Sequence, residues 1–329
     1  MNWLTGLDEP DQSLNQSLNQ SLGRADTLPL GLLEFLSFRP EIPLAQQRDG
    51  AVQAAVIADR AGYRRLWVPE HHARGVPSTN PLVLLPVLGR LTRTIRIGTA
   101  VSLIRIRDPY LLAEDLATAA HFCPDRLDIG LGRGDVRGPG TEVLDGVRKD
   151  EAALDEAVKV ISALIERGNA WIDPVGGAYQ QWMHGAGFRS AEVAGAMGLD
   201  YCHALFFNPD LTAALQTLEA HAAAHPPGRR AVAIGVVANP DPQRAEADSR
   251  LGGIKITVVG SAEECSEQIL RLLDQPRIDE VVITEQSARI EDHHRALQQI
   301  AALVGAALGR SDRGVTFGTS PALAAVSAG

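Results

Sequence analysis

Cysteine is scarce in this 329-residue sequence: Cys123, Cys202 and Cys265 stand far apart, with no CxxC pair. That excludes a disulfide-stapled scaffold, which a chain of this size does not need, and reads as free thiols in a reducing compartment. Aromatic residues make up only 5% of the chain, too few for a base-stacking platform. There is no Lys/Arg-rich run, and 31 basic against 40 acidic residues leave a net charge of −9. Nucleic acid and anionic membrane surfaces are therefore poor partners. No apolar run reaches the roughly 18 residues that a membrane span requires. The first 27 residues are polar and lack the apolar stretch of a secretory signal, so a cytoplasmic protein is expected. Three signatures are missing as well: no GxGxxG follows the first apolar run, and neither GxxxxGK[ST] nor GxSxG occurs.

What is present is an ordinary globular composition, 45% apolar and 22% charged. Residues 1–27 carry a repeat, Ser13-Leu14-Asn15-Gln16 followed by Ser17-Leu18-Asn19-Gln20, and read as a low-complexity tail. Residues 311–329 are small, unpatterned and read as a flexible tail. The body is 28–310.

That body alternates between strand and helix patterns. Strands are predicted at Pro29–Phe38, Arg65–Val68, Ile95–Ile104, Arg126–Leu131, Gln181–His184, Tyr201–Phe206, Arg230–Ala238 and Glu280–Thr284. Helical periodicity fills the intervals, for example Leu154, Ala157, Val158, Ile161 and Ile165 within Asp150–Arg167. Eight strands, each followed by a helix, predict a single-domain (β/α)8 barrel.

Active residues of such barrels lie at the C-terminal ends of the strands. Strand two ends in Glu70-His71-His72, strand three near Arg105 and Arg107, strand four in Gly132-Arg133-Gly134, and strand five in His184-Gly185-Ala186-Gly187 with Ser190 beyond. The Glu70-His71-His72 cluster has three readings: metal ligands, acid/base or hydrogen-bond groups toward a cofactor, or a strand cap. A metal site needs three or four convergent ligands, and none is assigned. Arg133 offers a planar fork to phosphate. Gly185-Ala186-Gly187 before a helix offers backbone amides to the same group. Together they point to a phosphorylated cofactor. His293-His294, early in the last helix, reads as a solvated face.

Four stretches resemble the bacterial-luciferase-like flavin monooxygenase family. They are Ala61-Gly62-Tyr63 through Trp67-Val68-Pro69-Glu70-His71-His72, Ile97-Gly98-Thr99-Ala100-Val101 through Asp108-Pro109, Arg126 through Gly134, and Val259-Gly260-Ser261-Ala262-Glu263-Glu264-Cys265. The resemblance implies a luciferase-like (β/α)8 barrel with a non-prolyl cis peptide at Ala100–Val101 beside the flavin ring. It implies that Arg133, Gly185, Ala186, Gly187 and Ser190 hold the FMN phosphate, and that His71, with His72 and Glu70, serves oxygen chemistry. The expected reaction uses reduced FMN and O2, through a C4a-peroxide, on a small organic or natural-product substrate. With no separate nicotinamide-binding domain, a partner flavin reductase is expected. The alternatives are a deazaflavin (coenzyme F420)-dependent hydride transfer or a non-catalytic flavin-binding subunit.

The chain departs from the family pattern in two ways. Arg105 and Arg107 stand where the family often has apolar residues, and either attract an anionic substrate or pair with Asp108 and other acids. The segments Arg133–Gln181 and Asn239–Ile254 look short, the latter being where relatives place a long lid. A homodimer is expected from the family, with apolar Pro81–Leu88 as one surface that would supply it.

Overall fold

The computed structural model describes residues 27–34, 42–72, 80–134, 150–251 and 253–311. The expected tails, 1–27 and 311–329, fall almost wholly outside these residues, as do residues 35–38 of the first expected strand. Eight parallel strands form the ring: β1 (Leu28–Leu33), β2 (Tyr63–Val68), β3 (Arg96–Thr99), β5 (Leu127–Gly132), β6 (Gln180–Gly185), β7 (Asp200–Ala204), β8 (Arg230–Ala238) and β10 (Glu280–Glu285). Closure comes from β10, which pairs with β1 on one side and β8 on the other. Every residue of β5, β8 and β10 is buried, as parallel strands must be when helices cover one face and a barrel core the other.

The helices in chain order are α1 (Leu44–Arg60), α2 (Pro81–Leu91), α3 (Pro109–Ala120), α4 (Glu151–Arg167), α5 (Phe188–Ala196), α6 (Leu211–Ala224), α7 (Pro242–Ser249), α8 (Ala262–Leu273) and α9 (Ile290–Ser311). Their starts are written locally. Asp108 accepts from the amides of Tyr110 and Leu111 ahead of Pro109, and Ser261 with Glu264 forms a reciprocal capping box on α8.

Two segments differ from the sequence reading. The single strand expected over Ile95–Ile104 is divided: β3 stops at Thr99, the Ala100–Val101 peptide is cis, and β4 (Ser102–Leu103) resumes pairing with β5. The stretch after β8 holds α7 and an additional strand, β9 (Ile256–Gly260). β7 pairs with the first half of β8, Arg230 to Ala233, and β9 takes over from Gly235 to Ala238. Because β8 outruns β7, its upper backbone groups need another partner, and β9 supplies it.

Inside the ring, side chains form layers. Arg65 makes the floor, ion-paired with Asp128 and Glu280 and donating to Gln180 Oε1 at 3.2 Å. Trp182 and Trp67 cover its guanidinium, with ring centroids 4.5 and 5.2 Å away. Trp67 Nε1 donates to Asp128 Oδ2 at 3.0 Å. Above the two indoles the core turns apolar, with Leu33, Ala204, Phe206 and Ala233.

Candidate active site at the barrel mouth

The ends of β2, β3, β5 and β6 are consecutive neighbours in the sheet, so four of the predicted clusters share one side of the mouth. Glu70 is buried and both its oxygens are used. Oε1 lies 2.6 Å from His72 Nε2, and Oε2 accepts from Leu103 N at 3.0 Å and Arg107 Nε at 2.8 Å. Arg107 continues to Asn80 Oδ1 at 3.2 Å, the same oxygen that caps α2. Glu70 therefore ties β2 to β4 and to the start of α2. Arg107 pairs with Glu70 and not with Asp108, which is occupied capping α3. Arg105 donates from Nε to Gly134 O at 3.2 Å. His71 is partly buried. Burial, and then the neighbouring His72, hold its pKa below the ordinary histidine value, favouring the neutral ring.

The Ala100–Val101 bond faces β5. A Cβ on Gly132 would lie 2.5 Å from Val101 Cγ2, so glycine is what lets the strand close against this segment. Arg133 follows directly, partly buried. On the adjacent strand, Gly185 packs against Ser190, where a Cβ would meet Ser190 Oγ at 2.3 Å. Gly187 is the N-cap of α5, with no side-chain cap and open space where a Cβ would project. The first-turn amides of a helix have no intrahelical acceptor. Here no capping side chain competes for them, and Ser190 sits in that turn. Tyr201 Oη donates toward Gly185 O and Gly187 O, each at 3.4 Å, and Asn208 Nδ2 toward Ala186 O at 3.5 Å. The turn's carbonyls are held from behind, which directs its amides the other way.

The sequence reading misplaced three histidines. His293 is not on a solvated face: it is buried, with Nδ1 2.7 Å from Glu285 Oε2 and Nε2 3.0 Å from Glu34 Oε2. Burial opposes its charge, but the two carboxylates prevail and raise its pKa to about 10. His294 also turns inward, to Gly50 O at 2.8 Å. Charged residues at the ends of apolar strands, Glu34 and Glu285, were the available signal. The third is His184, read at the rim of strand five but lying inside the barrel, edge-on to Trp67.

A (β/α)8 barrel whose mouth combines an uncapped helix start, an arginine and a histidine pair is an architecture suited to a phosphate-bearing cofactor. The model of the luciferase-like monooxygenase family matches residues 32–257, and the chain belongs to that family. It is similar to a luciferase-like monooxygenase of Escherichia coli strain K12, 28% identical over 173 residues, which are 49% of this chain and 50% of the relative. The chain spans about half the length of the curated relatives it matches. Among solved structures, apo-MsnO8 superposes with a TM-score of 0.74 at 24% identity, covering 84% of this chain and 98% of the other. The oxygenating constituent of 3,6-diketocamphane monooxygenase from Pseudomonas putida, in complex with FMN, gives 0.67 at 18%, covering 85% and 98%. An F420-dependent secondary alcohol dehydrogenase gives 0.66 at 16%, covering 85% and 99%. At these identities the structures share the fold.

Proposed function

We propose that the protein is an FMN-dependent monooxygenase that acts with reduced FMN and O2 on a small organic substrate, the reduced flavin coming from a separate reductase. One observation carries this reading: Arg133 and the uncapped start of α5 at Gly187 follow the ends of neighbouring strands, β5 and β6, on the same side of the mouth as the Ala100–Val101 segment. The residues present fit the cofactor. Gly187 leaves room for a phosphate, and the first turn of α5 offers amides with no capping side chain.

Bound reduced FMN supplies the activation of molecular oxygen, which the protein groups do not perform themselves. Arg133 and the Gly187–Ser190 amides bind the phosphate. His71, kept neutral, accepts or returns a proton at a ring nitrogen. Glu70 holds His72 and the β4 backbone in place, and Leu33, Phe206 and the two tryptophans exclude water from below.

A homodimer is the proposed assembly, supported by Val83, Val87 and Leu91, which form an exposed apolar stripe along α2. Leu111 at the start of α3 is exposed as well. The test of the cofactor reading is an anaerobic titration with reduced FMN and with reduced deazaflavin, followed by oxygen. Tight reduced-FMN binding and an oxygen-dependent absorbance transient are expected. Preference for the deazaflavin without any oxygen response would move the protein to hydride transfer, and binding of neither would leave a non-catalytic partner.

A further inference from the structure

Alternation along β6 sends Gln180, Trp182 and His184 into the barrel, and the contacts of all three agree: Gln180 reaches Arg65, Trp182 covers its guanidinium, and His184 lies edge-on to Trp67 with centroids 4.6 Å apart. His184 is the last inward residue before the Gly185–Gly187 turn. The tryptophans seal it from below, yet the ring remains partly accessible, so its open side is the mouth. Its Nε2 is buried without a hydrogen-bond partner. The nitrogen would lie 3.0 Å from a Cβ on Gly130, a position crowded on its other side by Thr99 O, so the ring occupies the space that glycine leaves. Among the described residues neither ring nitrogen is hydrogen-bonded, and Nδ1 is the one within reach of a ligand. Burial and the nearby Arg65 push the pKa down to about 3. The low value favours the neutral ring, which carries its single proton on one of the two nitrogens.

Resting on the flavin reading above, we propose that His184 is a cofactor-binding residue whose Nδ1–H donates a hydrogen bond to a polar atom of the isoalloxazine ring. Position selects the ring over the phosphate. His184 stands on the barrel side of the phosphate turn, over Gly130 and next to Thr99, the residue that leads into Ala100–Val101. A neutral imidazole adds no charge for a phosphate, but it offers a flat apolar face and one donor. A buried polar nitrogen with no partner is unfavourable, and a ligand that engages the ring relieves that isolation.

The test compares FMN with riboflavin, which carries the same ring without the phosphate, in the wild type, His184→Leu and His184→Gln. Equilibrium binding of both flavins in their reduced form under anaerobic conditions, followed by the absorbance of the bound flavin, is the readout. His184→Leu is expected to weaken both ligands by about five- to tenfold, the size of one hydrogen bond, with the ratio between them unchanged. His184→Gln, which keeps a donor, is expected to return within about twofold of the wild type. Unchanged binding in His184→Leu, or loss confined to FMN, overturns the proposal and leaves the flavin reading standing. A wild type that binds neither ligand overturns both. Should His184→Leu fail to fold, wild-type protein labelled with nitrogen-15 histidine gives the answer: the His184 Nδ1 resonance moves on adding FMN, and a resonance that stays put refutes the assignment.

Discussion

His293 lies between two carboxylates from opposite ends of the chain, 2.7 Å from Glu285 and 3.0 Å from Glu34. The three side chains join the ends of β1 and β10 to α9, the seam at which the barrel closes. The folded pKa of about 10 lies above the ordinary value of 6.5. This contribution to stability is therefore fully present below pH ~6.5 and is lost as pH rises through ~10. His293→Ala leaves two buried carboxylates without their cation and is expected to cost about 3–5 kcal/mol near neutrality. Urea unfolding of both proteins from pH 6 to pH 10.5 checks it; the gap should narrow toward the alkaline end.

Arg65 should behave similarly at the floor, without the pH dependence near neutrality. Arg65→Met removes the central cation, leaving Asp128 to Arg96 and Trp67 and Glu280 to Arg64, and a loss of about 3 kcal/mol, the low end for a broken buried pair, is expected. Arg65→Lys should recover only part of it, because an ammonium can neither fork between two carboxylates nor present a flat face to the two indoles that cover it. Thermal and urea unfolding of the pair would settle the order.

Arg133→Ala addresses the phosphate end of the proposed site. FMN affinity is expected to fall by about 10- to 100-fold, the range of one or two charge-assisted hydrogen bonds, while riboflavin affinity holds. Isothermal titration with the two ligands measures this directly. Equal losses for both would remove Arg133 from the phosphate site.

Two glycines should respond in opposite ways. A Cβ on Gly130 would stand 1.7 Å from Thr99 O, whereas none on Gly187 meets anything within 4 Å. Gly130→Ala is expected to destabilise the fold by at least about 1–3 kcal/mol. Gly187→Ala should leave the melting temperature within a degree or two and alter only ligand binding.

Much of this structure was legible where the determinants are local. Asp108-Pro109, Ser261 with Glu264, and the apolar runs of β5, β8 and β10 announce their elements within a few residues. The mouth residues came from the rule that barrel sites lie at strand ends and the Ala100–Val101 position from the family resemblance, and the structure has both the barrel and the cis bond. The misses were long-range. His293 and Glu34 are 259 positions apart, and no local pattern tells a helix histidine that two strand ends will meet it. β9 forms because β8 outlasts β7, a difference in strand length that exists only once the ring is assembled. His184 looked like a rim residue because its strand ends one residue later, and only the in–out parity with Trp182 gives it away.

The Arg65 floor makes the barrel a cul-de-sac. With the guanidinium, two carboxylates and two indoles layered across the base, the described residues close that end of the barrel and leave the mouth as the doorway. On the function proposed above, a molecule seated deepest would be sheltered by any later arrival and would depart after it. That order of binding and release would follow from the closed floor, with no individual side chain at the rim needed to enforce it.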